Sequence, residues 1–202
     1  MADHRPIADR IEAVVIGTSA GGVEALSVVL PALPAGLRAP VFTVLHLPRE
    51  RPSLLVTIFG PKCAVPVREA VDKEPIAAGT VYFAPPDYHL LIDVGPIIAL
   101  SDDEPVHHSR PSVDVLFESA ADAFGPGVLA ILLTGGNQDG AAGTAAVRDA
   151  GGIVVVQDPA EAYAPMMVEA ALARGPAHHC LRLQGIAELV RGLAPGKRPG
   201  RG

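Results

Sequence analysis

The stretch that most constrains the fold lies near the start of the chain and runs from Val14 to Gly22. An apolar, β-branched run ends at Gly17, Ser19 follows, and two further glycines open a helical pattern. This order predicts a buried strand, a tight turn and the N-terminus of a helix. Ser19 would then be exposed on the turn, beside free helix N–H groups that favour developing negative charge.

The spacing Gly17-x-Ser19-x-Gly21 is that of a nucleophile elbow, in which a strand-to-helix turn presents a serine. Similar turns of small residues also hold phosphate groups, and many only allow close packing. The spacing alone therefore leaves catalysis, phosphate binding and packing open. Phosphate binding at Gly21-Gly22 ranks last, because the lysine and the longer loop of a Walker motif are missing.

The rest of the chain predicts one α/β domain. Of 202 residues, 49% are hydrophobic, which is enough apolar material for a large core. Strand and helix signals alternate, which predicts a doubly wound, mostly parallel sheet with helices on both faces and an antiparallel hairpin at one edge. We expect residues 1–12 to be an N-terminal extension, 13–193 the domain, and 194–202 a disordered tail.

Composition also excludes several classes of partner and site. A formal net charge of −6 argues against a general nucleic-acid binder. The chain shows neither a secretory signal nor an apolar run of bilayer length, which predicts a cytoplasmic protein without membrane insertion. Cys63 and Cys180 belong to no CxxC motif, so neither a disulfide framework nor a cysteine metal site is expected. The pairs His107-His108 and His178-His179 are expected to be solvated or structural.

Three polar residues follow predicted strands at their carboxyl ends. Ser19 follows the first strand, His46 closes the second, and Asp139 lies in the loop after the strand at 127–133. Ligands of open parallel sheets bind beyond these ends, near the point where strand order reverses, so a nucleophile, a base and a carboxylate would converge there. Each residue also has a simpler reading: Ser19 as a helix cap, His46 bonded to backbone, and Asp139 as the cap of the helix near Ala141.

Five motifs occur in an order that resembles a known family. They are Gly17 to Gly22, Leu45 to Pro48, Phe83 to His89, Arg110 to Phe117, and Leu132 to Gly143. Together they resemble the catalytic domain of the CheB family, the chemotaxis-receptor protein-glutamate methylesterases. The resemblance extends over about Val14 to Leu193 and includes a closing segment from Gly152 to Met166.

The resemblance implies a serine hydrolase that removes methyl esters from glutamates on a methylated chemotaxis-type receptor and releases methanol. Many relatives also deamidate receptor glutamines, with ammonia as the leaving group. The family's nucleophile falls on Ser19, its histidine on His46 and its aspartate on Asp139. Backbone N–H groups near Ala20 to Gly22 or around Gly136 would hold the oxyanion. No metal and no organic cofactor is implied.

The sequence departs from the family pattern in three places. Ala20 stands where a threonine commonly follows the nucleophile. The loop usually written Thr-Gly-Met-Gly-x-Asp-Gly has Gly136 for the methionine and Asn137 for the second glycine, and asparagine tolerates left-handed geometry. Typical relatives carry an N-terminal phospho-receiver, whereas twelve residues precede the first predicted strand here. We therefore expect a free-standing domain, for which a separate receiver protein could be a partner.

Two alternatives to the methylesterase stay open. The first is a hydrolase of the same mechanism that acts on another ester or amide. The chain order Ser, His, Asp differs from the Ser, acid, His order of ordinary α/β-hydrolases. The second alternative is a non-catalytic receptor-binding module whose altered loops have lost turnover.

Overall fold

The computed structural model describes residues 7–48, 52–93, 95 and 97–194. Half of the predicted N-terminal extension and nearly all of the predicted disordered tail lie outside the described residues. The strands are β1 (Ala13–Thr18), β2 (Val41–Leu45), β3 (Val67–Glu69), β4 (Val81–Phe83), β5 (His89–Asp93), β6 (Ile97–Ser101), β7 (Val128–Leu132), β8 (Ile153–Gln157) and β9 (His179–Leu181). The α-helices are α1 (Ile7–Arg10), α2 (Gly22–Val29), α3 (Leu55–Phe59), α4 (Val113–Phe124), α5 (Ala141–Asp149), α6 (Met166–Ala173) and α7 (Leu183–Arg191).

Seven of the strands form one parallel sheet in the order β3-β4-β2-β1-β7-β8-β9. β1 is the middle strand of this sheet. β2, β4 and β3 lie on one side of it, and β7, β8 and β9 lie on the other. Strand order therefore reverses between β1 and β7, which confirms the predicted doubly wound fold. The predicted antiparallel hairpin is also present, and its strands β5 and β6 form a separate two-stranded sheet.

Both faces of the parallel sheet are covered, because the side chains of a strand alternate between its two sides. Val14 and Ile16 of β1 belong to one apolar core, which also contains residues of α2, α3 and α7. Ala13 and Val15 belong to a second core, together with residues of α4, α5 and α6. Every residue of β1 is buried, as expected for the middle strand.

Gly17 allows helix α4 to approach β1 closely. A Cβ atom at this position would lie 2.2 Å from Cγ1 of Val113, the first residue of the helix. The contact places the N-terminus of α4 over the carboxyl end of β1, beside the turn that carries Ser19. The glycine of the elbow motif is therefore required here for close packing.

We expect Gly17→Ala to lower the free energy of unfolding by about 1–3 kcal/mol, because the added methyl group would displace Val113 from a packed core. Urea denaturation followed by far-UV circular dichroism measures this change. Gly60→Ala is the matched control, since nothing lies within 4 Å of a Cβ at that position. Its φ of −51° suits alanine, so its stability should be unchanged or slightly higher. Equal stabilities of the two variants would contradict the prediction.

Candidate active site

Ser19 lies on a turn that hydrogen bonds fasten to the end of β7. The Ser19 N–H and the Thr18 hydroxyl both donate to the Thr134 carbonyl, each over 2.9 Å. The Thr134 hydroxyl in turn donates to the Ala20 carbonyl over 2.9 Å. Helix α2 has Gly21 as its N-cap, with φ 79° and no side-chain cap, so the reading of Ser19 as a helix cap is wrong. Within the ranges that the structure describes, the Ser19 hydroxyl makes no hydrogen bond.

His46 follows β2 at the register position next to Ser19. Thr18 and Leu45 are paired across β1 and β2, and the His46 N–H donates to the Thr18 carbonyl over 3.2 Å. Adjacent strands lie about 4.8 Å apart, so the backbones of Ser19 and His46 are neighbours. Parallel pairing of β1 with β2 thus brings the first two predicted site residues side by side at the carboxyl edge.

The His46 ring is paired with Asp139, the third predicted residue. Nε2 of His46 lies 2.8 Å from Oδ2 of Asp139, and the Asp139 side chain is 0% exposed. An ionised carboxylate only accepts hydrogen bonds, so Nε2 carries the ring proton and Nδ1 has the free lone pair. The reading of His46 as a histidine bonded to backbone through its ring is therefore wrong. Nδ1 lies 3.4 Å from the Ser109 hydroxyl, and among the described residues no hydrogen bond joins the ring to Ser19.

The Asp139 carboxylate also caps the start of α4. It accepts hydrogen bonds from the Val113 N–H over 2.7 Å, the Asp114 N–H over 2.9 Å and the Ser112 hydroxyl over 2.8 Å. Burial alone would raise the pKa of Asp139, but hydrogen bonds from His46 and these N–H groups outweigh it. The pKa of the Asp139 carboxyl consequently lies below its ordinary value.

The helix that begins near Ala141 receives no such cap from Asp139. The N-cap of α5 is Gly140, with φ 94° and no side-chain cap, so the predicted capping role of Asp139 is wrong for this helix. Asp114 of α4 instead contacts α5, where it accepts the Gly143 N–H over 2.6 Å. Burial raises the pKa of the Asp114 carboxyl, the charge of Asp139 raises it further, and the Gly143 hydrogen bond opposes both. Asp139, in the loop before α5, thus holds the start of α4, and Asp114 of α4 holds the start of α5.

Sequence reasoning missed Ser109 and assigned Asn137 no contact. The Asn137 side chain donates from Nδ2 to the Ser109 hydroxyl over 3.3 Å, and its Oδ1 accepts the Asp139 N–H over 3.1 Å. Asn137 had one signal in the sequence, its departure from the family's glycine. Ser109 had none, because it lies in a polar loop whose path no local pattern defines.

Both predicted oxyanion donor regions contain backbone N–H groups that donate no hydrogen bond within the described ranges. The Gly22 N–H donates to the Ser19 carbonyl over 2.8 Å and is therefore occupied. The N–H groups of Ala20, Gly21 and Gly136 make no hydrogen bond in the part of the chain that the structure describes. These three groups are consequently available to a bound oxygen atom.

A cavity of about 170 Å³ opens beside His46. Its other lining residues are Leu47, His108, Ser109, Arg110 and Pro111. Pockets for whole small-molecule ligands usually measure about 300–1,000 Å³, so this cavity suits the tip of a side chain. A second cleft of about 500 Å³ also contacts His108 and is lined by His107, Gly136, Asn137, Gln138, Met166 and Ala170.

His178 and His107 make structural contacts through their rings. Nδ1 of His178 accepts the Val154 N–H over 3.0 Å, and Nε2 of His107 lies 3.4 Å from the Asp114 carboxylate. Within the described ranges, no three His, Cys, Asp or Glu side chains are grouped so that they could hold a metal ion. Likewise, none of the helices in these ranges has the length and apolar character needed to cross a membrane.

Comparison with known proteins identifies close relatives of this chain. The family model described as CheB methylesterase matches residues 14–190. A relative from Leptospira interrogans serogroup Icterohaemorrhagiae serovar copenhageni is 40% identical over 178 residues, which cover 88% of this chain and 92% of that relative. A relative from Anaeromyxobacter dehalogenans, named protein-glutamate methylesterase/protein-glutamine glutaminase 1, is 41% identical over 92% of this chain and 53% of its own length. The crystal structure of the Thermotoga maritima CheB methylesterase catalytic domain matches with a TM-score of 0.84 at 30% identity, covering 91% of this chain and 98% of that one.

We expect Asp139→Asn to lower the free energy of unfolding at pH 7 by about 2 kcal/mol, because it weakens charge-assisted hydrogen bonds at the start of α4. The pKa of Asp139 is depressed in the native state, so the ionised carboxylate stabilises the fold above its unfolded-state pKa. This contribution is lost as the pH falls through the native pKa. Denaturant titrations at several pH values should therefore show the difference between wild type and variant shrinking in acid.

Asp149→Asn is the control for this prediction. Asp149 is the last residue of α5, and its side chain is 76% exposed. Its substitution should change the free energy of unfolding by no more than about 0.5 kcal/mol at any pH. A difference for Asp139→Asn that stays constant from neutral to acid pH would show that the carboxylate charge does not stabilise α4.

Proposed function

The chain belongs to the CheB methylesterase family, and we propose that it hydrolyses glutamate methyl esters in methylated chemotaxis-type receptors. The reaction is that of a carboxylic ester hydrolase, with Ser19 as nucleophile, His46 as general base and Asp139 as the carboxylate that orients the base. The observation that supports this assignment most is the 2.8 Å contact between His46 and Asp139, at the register position next to Ser19. The same site would deamidate receptor glutamines, with ammonia as the leaving group.

Acylation begins when Nδ1 of His46 removes the Ser19 hydroxyl proton while the serine oxygen attacks the ester carbonyl. Nδ1 is the base in this scheme because Nε2 is already bonded to Asp139. The tetrahedral intermediate expels the methoxy group, which takes the proton from Nδ1 and leaves as methanol. Ser19 is then bonded to the glutamyl carbonyl as an acyl-enzyme.

Deacylation repeats the same proton transfers with water. His46 removes a proton from water, the oxygen attacks the acyl carbonyl, and the proton returns to Ser19 as the glutamate carboxyl group is released. The depressed pKa of Asp139 keeps its carboxylate ionised throughout, so it can stabilise the imidazolium form of His46. The N–H groups of Ala20, Gly21 and Gly136 are the proposed oxyanion donors, and one such donor contributes roughly 3 kcal/mol to lowering the barrier.

The proposed substrate is a side chain carried on another protein. The cavity of about 170 Å³ beside His46 would accept a methyl-esterified carboxyl group, while the cleft of about 500 Å³ gives the substrate backbone room to lie across the sheet edge. A cytoplasmic location and a separate receiver protein as a second partner stay predictions.

We expect Ser19→Ala to reduce methanol release from methylated receptor by roughly 10⁶-fold, because the variant lacks the attacking oxygen. Circular dichroism should show an intact fold, since the Ser19 hydroxyl makes no hydrogen bond among the described residues. A serine-directed phosphonate should label Ser19 in the wild type, as identified by mass spectrometry of the digested protein.

Ser27→Ala is the matched control, because among the described residues the Ser27 hydroxyl donates only to the Val23 carbonyl within α2. Its turnover should equal that of the wild type. Unchanged turnover in Ser19→Ala would overturn the proposed mechanism. If both variants and the wild type bind receptor but none releases methanol, the chain is a binding module and the hydrolase proposal fails.

We expect the wild type to release methanol faster from methylated receptor than from small methyl esters at equal ester concentration. The small cavity beside His46 offers a free ester few contacts, whereas a receptor segment would also occupy the larger cleft. Gas chromatography of methanol measures both rates, with Ser19→Ala as the blank. Faster Ser19-dependent turnover of a small ester would identify another ester as the substrate.

A further inference from the structure

We infer that Ser109 is a positioning residue for His46, holding the ring on the side opposite Asp139. The inference rests on the proposed function, since it assigns Ser109 a part in the work of the proposed base. The ring is bonded at Nε2 to the buried Asp139 and at Nδ1 to the Ser109 hydroxyl, which lies 3.4 Å away. Two contacts at different ring nitrogens define the orientation of the imidazole plane, whereas the carboxylate contact alone leaves the ring free to pivot.

Ser109 is itself held by a neighbour from the loop after β7. Asn137 donates from Nδ2 to the Ser109 hydroxyl, and its Oδ1 accepts the Asp139 N–H. The Asn137 amide therefore joins the residue that holds one ring nitrogen to the residue that holds the other. Movement of either loop would move both contacts to the His46 ring together.

A tight two-residue turn presents the Ser109 hydroxyl. Val106 and Ser109 exchange backbone hydrogen bonds of 3.1 and 2.8 Å across His107 and His108. His107 has φ 49° and His108 has φ 62°, a left-handed geometry that side chains rarely adopt. The contact between His107 and the Asp114 carboxylate ties this turn to α4, whose first residues also bind Asp139.

A hydroxyl at this position can serve both protonation states of the base. In the neutral ring Nδ1 has a single lone pair, and at rest this lone pair accepts the Ser109 proton. Because the same lone pair must take the Ser19 proton, the Ser109 proton first turns towards the His107 carbonyl, 3.5 Å away. Nδ1 then becomes a donor, and the Ser109 oxygen can accept from it. Ser109 is therefore bonded to the ring before and after the proton transfer, and gives up the lone pair during it.

The other charged groups near the ring do not duplicate this contact. Asp139 is bonded to Nε2, on the opposite side of the ring. Arg110 lines the same cavity, but its guanidinium group donates to the Asp87 carboxylate over 2.8 and 3.0 Å. His108 also lines the cavity, on the turn that carries Ser109. Of the side chains that line this cavity, Ser109 is the one that is hydrogen-bonded to Nδ1 of His46.

We expect Ser109→Ala to lower kcat for methanol release roughly ten-fold, the size expected from loss of one hydrogen bond to a charged ring. KM should change by less than about two-fold, because Ser109 acts on the base. Ser109→Thr keeps the hydroxyl and should recover most of the activity, and Ser27→Ala again serves as the matched control.

Ring-nitrogen NMR supplies a readout that is independent of turnover. In ¹⁵N-labelled Ser109→Ala, the Nδ1 resonance of His46 should move towards that of a ring nitrogen without a hydrogen-bond donor, while the Nε2 resonance stays in place. A His46→Gln variant assigns the two resonances. A simple loss of stability would not shift one ring nitrogen alone.

The outcomes separate this inference from the proposed function. If Ser19→Ala is inactive while Ser109→Ala has wild-type kcat and an unmoved Nδ1 resonance, only the positioning role is overturned. Activity in Ser19→Ala overturns the proposed function itself. Phosphonate labelling of Ser109 in place of Ser19 would overturn both, because Ser109 would then be the nucleophile. A lower kcat with a moved Nδ1 resonance and recovery in Ser109→Thr supports the inference.

Discussion

The candidate active site depends on one buried carboxylate. Asp139 accepts hydrogen bonds from the first N–H groups of α4, from a serine hydroxyl and from the His46 ring, and it has no exposed surface. A buried charge of this kind is tolerated only when it is fully hydrogen-bonded, and the N-terminus of a helix supplies both donors and a favourable field. The carboxylate that would orient the base is therefore also a structural element. Its position cannot change without disturbing the start of α4.

The sheet topology explains why this carboxylate contacts His46 at the same edge of the sheet that carries Ser19. β1, β2 and β7 run parallel, so the loops that follow them lie at the same edge of the sheet, where strand order reverses between β1 and β7. Because Gly17 has no side chain, α4 can pack closely against β1. Hydrogen bonds to Thr134 join the Ser19 turn to the loop that follows β7. Strand pairing and one close helix–strand contact thus bring these three residues, which are far apart in the sequence, to one edge of the sheet.

Much of the fold could be predicted from the sequence, because strand burial, glycine turns and helix caps are local patterns. The stretch from Val14 to Gly22 is one example, since β1 ends at Thr18 and α2 begins at Gly22, as the pattern predicts. The residues that Ser19, His46 and Asp139 contact were harder to predict from the sequence. Sequence placed them at one edge but could not show that Asp139 caps α4, because that contact joins elements 25 residues apart. Ser109 lies in a loop whose path depends on tertiary contacts, so no pattern marked it.

Two departures from the family pattern have different consequences at this site. Ala20 removes a side-chain hydroxyl beside the proposed nucleophile, but the backbone of the turn keeps its hydrogen bond from Thr134. Asn137 adds an amide where the family has a glycine, and this amide bonds both to Ser109 and to the backbone of Asp139. The Ser109 hydroxyl that Asn137 contacts is also the group 3.4 Å from Nδ1 of His46, so the loop that carries Asp139 reaches both ring nitrogens, one of them directly and the other through Asn137 and Ser109.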